Sequence, residues 1–178
     1  MTDEVVNEIC LREFSNLPNS VNRNLTGIAG YVYTIDINNE KYVIKVSDTK
    51  ELISGSTYWL TKLARLELPI PKIYAINTQT SHYYFIMSFL PGKDLGLVYN
   101  SLSKETKENI ATKIYTYQNE ILKLPTASGY GFLSSYEDND NKRNSWKEVV
   151  ENHIKRSENR IIQNGIFNKE YVNRVRSF

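Results

Sequence analysis

The stretch 31-YVYTIDINNEKYVIKV-46 decides the fold of this chain. It contains two segments rich in β-branched and aromatic residues, Tyr31 to Ile37 and Lys41 to Val46, with the pair Asn38-Asn39 between them. Side chains of the first kind favour strands, whereas asparagine favours tight turns. The stretch therefore predicts an antiparallel β-hairpin.

The segments on either side extend this hairpin into a small sheet with helices. Apolar residues at helical spacing over residues 2–20, with Thr2 as N-cap, predict an amino-terminal helix that buries Cys10 as a small hydrophobe. Downstream, residues 54–66 predict a second helix and residues 72–90 a second hairpin. The order strand, hairpin, helix, hairpin predicts an α+β fold in which a small antiparallel sheet has one helix packed on a face.

The composition changes after Pro91-Gly92, where strand-like segments give way to helices and loops. Apolar residues at helical spacing predict helices over residues 103–123 and 145–164, with a further helix after them. We therefore predict two lobes, a sheet-containing lobe at residues 1–91 and a partial helical lobe at residues 92–178.

The charge and hydropathy of the chain argue against several classes of function. Its 178 residues carry 22 Lys and Arg against 20 Asp and Glu, a net charge of +2, so no strong basic field favours nucleic-acid binding. No apolar run approaches the roughly 18–20 residues that span a bilayer. The acidic start Thr2-Asp3-Glu4 does not match a secretory signal. We therefore expect a cytoplasmic protein without nucleic-acid or membrane partners.

The sequence contains no pattern typical of a metal site. His82 and His153 lack a second His or Cys at ligand spacing. The segment that starts at Asp138 begins like a calcium loop, but it has Lys142 at a ligand position and Arg143 in place of the glycine. We therefore expect no metal ligands in this chain.

Lys45 is the first candidate for a functional side chain. Alternation along the second strand of the hairpin places it on the face of Val43, opposite Ile44. A lysine in an otherwise apolar strand fits phosphate pairing; taken alone, it also fits an edge-strand lysine that reaches water along its stem. Upstream of it lie Gly27 and Gly30, and glycines allow backbone amides to approach a phosphate closely.

Two further segments belong to the same pattern. Leu68-Pro69-Ile70-Pro71-Lys72-Ile73 follows the predicted helix, and Met87-Ser88-Phe89-Leu90-Pro91-Gly92 closes the second hairpin. Together with the glycine loop and the strand lysine, they resemble the amino-terminal lobe of the aminoglycoside phosphotransferase and choline kinase-like family, which has the protein-kinase fold. The resemblance runs from about residue 20 to residue 130.

The resemblance implies a nucleotide site. In such kinases the strand lysine pairs with the nucleotide phosphates and the glycine turn covers them. It further implies ATP or GTP with Mg²⁺ as cofactor and transfer of the γ-phosphate to a hydroxyl of a small molecule, since family members act on antibiotics, choline, sugars or protein-linked amines. The implied residues are Lys45, Gly27, Ile28, Ala29 and Gly30 at the phosphates, Met87 in the adenine pocket, and the backbone of Ser88 and Leu90 at the adenine edge.

The sequence departs from the family in two places. The helix glutamate that usually orients the strand lysine corresponds to Gly55, and whether Glu51 replaces it stays open. The catalytic loop requires an Asp with an Asn five residues on, and none of the six aspartates has one. In family order this loop would lie beyond Phe178, so we expect no catalytic or metal-binding residue within the chain.

These departures leave different functions open. The first interpretation is the amino-terminal portion of a phosphotransferase that binds nucleotide without turnover. The alternative is a non-enzymatic, truncated kinase-like protein that acts as an association or binding module, and a third is a kinase completed by another chain. Large apolar residues on one face of the 145–164 helix predict self-association through residues 145–178, or loose packing there.

Overall fold

The computed structural model describes residues 2–25 and 30–176, and the chain divides into two compact units, residues 1–125 and 126–178. In chain order, the elements of the first unit are α1 (Asp3–Phe14), β1 (Ser20–Asn24), β2 (Tyr31–Ile37), β3 (Glu40–Ser47), α2 (Lys50–Leu63), β4 (Ile73–Asn77), β5 (Tyr83–Ser88), α3 (Leu95–Val98), a 3-10 helix (Tyr99–Ser101) and α4 (Lys104–Ile121). The second unit contains α5 (Trp146–Gln163) and α6 (Lys169–Arg176). This division places α3 and α4 in the first unit, and the lobe boundary at residue 91 stays a prediction.

The five strands form one antiparallel sheet in the order β1-β2-β3-β5-β4. The turn between β2 and β3 is made by Asn38 and Asn39, whose φ angles are 55° and 64°. A two-residue turn with both residues in the left-handed region is of type I′, and its twist matches that of the strands it joins. The predicted hairpin is confirmed, and β3 is the central strand of the sheet.

One face of the sheet is covered by α1, which begins after Thr2 as predicted, although the Thr2 side chain makes no capping hydrogen bond. The core between α1 and the sheet buries Val6, Ile9 and Cys10 of the helix. Burial raises the pKa of the Cys10 thiol to about 11. Cys10 is thus the small buried hydrophobe that the sequence predicted. The strand residues of this core alternate along each strand and are Tyr33, Ile35, Ile37, Ile44, Val46, Tyr84 and Ile86.

The other face carries α2. Ile53 of α2 and Phe85 of β5 are almost fully buried, and neither belongs to the core under α1. α2 begins at Lys50, earlier than the predicted start near residue 54, because Lys50, Glu51 and Leu52 are good helix formers that extend it by one turn. The α+β fold is confirmed, with a helix on each face of the sheet instead of one.

The residues after β5 form helices, as predicted. Asp94 caps α3 by accepting the N–H of Gly96 at 2.7 Å, and Ser103 caps α4 by accepting the N–H of Thr106 at 3.1 Å. Among its described residues, α4 has none that is fully buried, and Ile114 on its apolar face is 46% exposed.

The second unit consists of a loop followed by α5 and α6. Ser145 caps α5 by accepting the N–H of Glu148 at 3.2 Å, and Gly165, with a φ of 64°, follows the end of the helix, both as predicted. Of the residues of this unit that the structure describes, Val149 is the one buried hydrophobic residue.

The described parts of the chain contain no helix with the length and apolar character needed to cross a membrane.

Candidate functional site

Lys45 lies at the centre of the sheet. In β3 it pairs with Val32 of β2 on one side and with Phe85 of β5 on the other. Its neighbours Ile44 and Val46 are fully buried in the core under α1, so Lys45 is on the opposite face, where it is half-buried. The predicted alternation is confirmed. The edge-strand explanation is wrong, because β3 has a neighbouring strand on each side.

No acidic side chain pairs with Lys45 among the residues that the structure describes. Gly55, at the position of the family's glutamate, lies on the buried side of α2. Glu51 is exposed in the first turn of α2 and makes no ion pair with Lys45 within the described ranges. A half-buried lysine in a central strand, without a counter-charge among the described residues, favours an external anion as its partner.

Gly30 lies beside Lys45 at the end of the glycine loop. Its φ is +78°, and a Cβ added there would lie 2.9 Å from the carbonyl oxygen of Val46 and 3.7 Å from Cε of Lys45. Only glycine fits this position without strain. The other loop residues of the predicted site, Gly27, Ile28 and Ala29, lie outside the described residues.

The end of β5 is fixed to the proline-containing segment before β4. The N–H of Ser88 donates to the carbonyl of Lys72 at 2.8 Å, and the N–H of Lys72 donates to Oγ of Ser88 at 2.9 Å. Two residues further on, the N–H of Leu90 has no protein acceptor within the described residues, and the Leu90 side chain is half exposed. A backbone donor at this place is free for a ligand.

Two residues outside the predicted set of site residues complete the surface of the site. Val32 pairs with Lys45, and Val43 pairs with Met87 across β3 and β5; all four are half-buried. By strand alternation they share one face, so an apolar surface adjoins the Lys45 side chain. Such a surface suits a ligand with a flat apolar ring and an anionic group. For Val43, alternation along β3 was the signal available in the sequence.

The remaining polar residues considered from the sequence lie elsewhere. His82 precedes β5, with Nδ1 3.8 Å from Oδ1 of Asp48, and His153 lies on α5. Asp138 accepts hydrogen bonds from the backbone and side chains of Ser134 and Asn141, which lower the pKa of its carboxyl. Over residues 2–25 and 30–176, no three His, Cys, Asp or Glu side chains come together as a metal site.

The sheet, its two helices and the helices that follow define an α+β, protein-kinase-like amino-terminal lobe with the first helices of a helical lobe. Residues 21–150 match the family model described as the phosphotransferase enzyme family. Because this match covers more than half of the chain, the chain belongs to the phosphotransferase enzyme family. The comparison with curated proteins finds no match.

The chain is similar to several solved structures, and one of them, APH(2")-IIa, has the same fold. The streptomycin–ATP–APH(2")-IIa ternary complex superposes with a TM-score of 0.62 at 16% identity, over 96% of this chain and 54% of that one. The aminoglycoside phosphotransferase APH(4)-Ia gives a TM-score of 0.43 at 21% identity, over 51% of this chain and 31% of that one. A thermostable mutant of APH(4)-Ia with AMP-PNP and hygromycin B gives 0.39 at 19% identity, over 49% and 29%. The chain thus spans about half the length of APH(2")-IIa and matches less than a third of APH(4)-Ia.

Proposed function

We propose that this chain binds ATP or GTP and supplies the nucleotide-binding part of a phosphotransferase that acts on a hydroxyl group of a small molecule. The observation that carries the proposal is the half-buried side chain of Lys45 in the central strand, beside Gly30 and without a carboxylate partner among the described residues. In this proposal Lys45 pairs with the nucleotide phosphates, and the turn from Gly27 to Gly30 covers them.

The apolar half of the same face is proposed to hold the adenine ring. Val32, Val43 and Met87 share this face and are each half-buried. The carbonyl of Ser88 and the N–H of Leu90 then hydrogen-bond the adenine edge, and each such bond contributes about 0.5–1.5 kcal/mol.

Nucleotide binding without turnover is what these residues support. Phosphoryl transfer in kinases depends on a proton-accepting Asp and on an Asn and a further Asp that hold Mg²⁺. This sequence has no Asp with an Asn five residues on. In the proposed full enzyme, which we place in the cytoplasm, such residues hold Mg²⁺ and face the acceptor, and Lys45 keeps its role at the phosphates.

Calorimetric titration with Mg-ATP and with Mg-GTP tests the proposal. We expect weak binding, in the high micromolar range or weaker, that is lost in Lys45→Met because that change keeps the apolar stem and removes the charge. Lys113→Met removes an exposed charge from α4 and serves as the matched control, with binding as in the unchanged chain. Unchanged affinity in Lys45→Met would exclude Lys45 from the site, and no binding by the unchanged chain would overturn the proposal.

A second candidate function, self-association, is favoured by an apolar groove in the second unit. The groove has a volume of about 890 Å³ and is lined mainly by side chains of α5 and α6, among them Trp146, Val150, Ile154 and Tyr171. These four side chains are 51%, 42%, 44% and 40% exposed. Exposed apolar surface of this extent is typical of an association site. In this second proposal the chain acts as an association module through residues 145–178, with or without a nucleotide bound to the first unit.

A further inference from the structure

A second, polar cavity lies in the second unit, between the loop that precedes α5 and one face of α5. Its volume is about 570 Å³, within the range of small-molecule sites. The loop contributes Arg143 and Phe132, and α5 contributes Asn152, His153 and Arg156. No Asp or Glu is among the residues that line the cavity.

The α5 side of the cavity follows from helix geometry. Asn152, His153 and Arg156 follow Val149 at intervals of three, four and seven residues, so the four share one face of the helix. Val149 is 4% exposed and holds this face against the rest of the unit. The ring of His153 packs against that of Phe132, with centroids 5.1 Å apart, which gives the cavity an aromatic wall.

The loop side holds Arg143 in a fixed orientation. Its backbone pairs with that of Tyr130 through hydrogen bonds of 2.9 Å and 2.8 Å. One terminal nitrogen of its guanidinium donates to the carbonyls of Asp140 and Lys142 at 2.8 Å and 2.7 Å. Among the described residues, the other terminal nitrogen and Nε have no acceptor and keep their donors for a ligand, and a guanidinium held in this way is preorganised to bind an oxyanion.

The neighbouring carboxylates do not neutralise the two arginines. Within the described part of the second unit, neither Arg143 nor Arg156 has a carboxylate within ion-pair distance. The carboxylate of Asp138 is occupied by hydrogen bonds from its own loop, and Glu148 accepts the N–H of Asn144 at 3.1 Å. Among the described residues, no direct ion pair therefore neutralises either arginine of the cavity.

We propose that this cavity binds a small oxyanion, the phosphate or carboxylate group of a small molecule, through Arg143 and Arg156. Charge-assisted hydrogen bonds from guanidinium groups are the strong interactions for such groups. The aromatic wall of Phe132 and His153 receives the uncharged part of the ligand. All of these residues belong to the second unit, whereas Lys45 belongs to the first, so the inference does not depend on the proposed nucleotide site.

Titration of the full chain with inorganic phosphate, followed by NMR of the arginine Nε–H groups, tests this site, and a parallel titration with citrate identifies the preferred group. We expect saturable shifts for Arg143 and Arg156 with at least one of the two anions at constant ionic strength. Arg156→Gln should weaken the apparent affinity roughly tenfold to a hundredfold, the effect of one hydrogen bond to a charged group. Arg160→Gln, on the same helix but outside the cavity lining, should leave the affinity unchanged.

Three results would overturn the proposal. The first is the absence of saturation with both anions. The second is an equal loss in Arg156→Gln and Arg160→Gln, which would indicate general charge screening. The third is a loss in Lys45→Met, which would place the anion in the first unit. Arg156 is exposed on α5, so we expect the Arg156→Gln variant to fold normally. The corresponding variant Arg143→Gln could disturb the loop, and the test therefore relies on Arg156→Gln.

Discussion

The backbone of Gly30 lies so close to Val46 that a Cβ at position 30 would be 2.9 Å from the Val46 carbonyl oxygen. Real Cβ atoms do not approach a backbone oxygen to this distance, and the φ of Gly30, +78°, is also one that other residues adopt at a cost. The end of the glycine loop therefore packs directly against β3, the strand that carries Lys45, and this packing requires glycine at position 30.

Gly30→Ala is expected to destabilise the first unit and to abolish nucleotide binding. The left-handed backbone alone costs a non-glycine residue about 1–2 kcal/mol, and the contact with Val46 adds to this. Gly165→Ala is the matched control, because Gly165 has a φ of +64° but nothing within 4 Å of its added Cβ. Urea unfolding, with hydrogen exchange in β2 and β3 for Gly30→Ala and at the end of α5 for Gly165→Ala, measures both variants. Equal losses in the two would show that the contact with Val46 contributes nothing.

Tyr84→Phe is expected to loosen α1 from the sheet. Tyr84 is fully buried, and its hydroxyl donates to Oε1 of Glu13 on α1 at 2.5 Å. Loss of this hydrogen bond should lower the free energy of unfolding by about 1–2 kcal/mol. Tyr83→Phe is the control, since the half-buried Tyr83 makes no side-chain hydrogen bond within the described residues.

The pKa of Tyr84 determines how the free energy of unfolding depends on pH through the Tyr84–Glu13 hydrogen bond. Burial, and then the hydrogen bond to Glu13, raise this pKa above its usual value. The stabilisation is therefore complete below the unfolded-state pKa of tyrosine and is lost as the pH rises through the higher pKa of the folded state. Unfolding curves that show the same alkaline destabilisation for Tyr84→Phe as for the unchanged chain would contradict this assignment.

Asp138→Asn is expected to change the response of the second unit to acid. Hydrogen bonds from the backbone of Ser134, then from Asn141, hold the pKa of this carboxyl well below its usual range. The stabilisation is present above the unfolded-state pKa of aspartate and is lost as the pH falls through the lower pKa of the folded state. Hydrogen exchange of the loop from neutral to strongly acidic pH should show a smaller acid effect in the variant. Asp140→Asn is the control, because the Asp140 side chain accepts no hydrogen bond from the described residues.

Cys10 should resist alkylation in the folded chain. It is fully buried in the core under α1, and burial raises the pKa of its thiol to about 11, so the reactive thiolate is scarce at neutral pH. A thiol reagent followed by mass spectrometry should modify Cys10 only under unfolding conditions. Rapid modification of the native chain would mean that α1 detaches from the sheet.

Ile154→Glu is expected to disrupt self-association through the second unit. Burying a side chain of this size contributes roughly 1.5–3 kcal/mol, and a charge placed in the apolar groove opposes that burial. Sedimentation should show dimers or larger species for the unchanged chain at micromolar concentration and a smaller species for the variant. Asn159→Glu, on α5 but outside the groove lining, is the control. A monomer in the unchanged chain would contradict the second proposed function.

Local patterns predicted the elements of this chain better than they predicted its long-range arrangement. The hairpin with the Asn38-Asn39 turn, the face of Lys45 and the burial of Cys10 all follow from periodicity and turn chemistry. The start of α2 at Lys50 was not predicted, although Lys50, Glu51 and Leu52 are good helix formers, because the apolar residues that indicated the helix begin only later. The central position of β3 could not be predicted in this way, because it depends on pairing with β5, a strand distant in the sequence.

The central place of β3 also has a consequence for the order in which the chain folds. Lys45 meets Val32 across a two-residue turn, a contact of the kind that forms within microseconds. It meets Phe85, forty residues later, only after a long loop has closed, and such non-local pairing is slow. Before β5 pairs with β3, β3 is an edge strand whose free backbone groups can pair with other chains. At that stage the contact between Val43 and Met87 has not formed. The nucleotide face is thus complete only when β5 docks, late in folding.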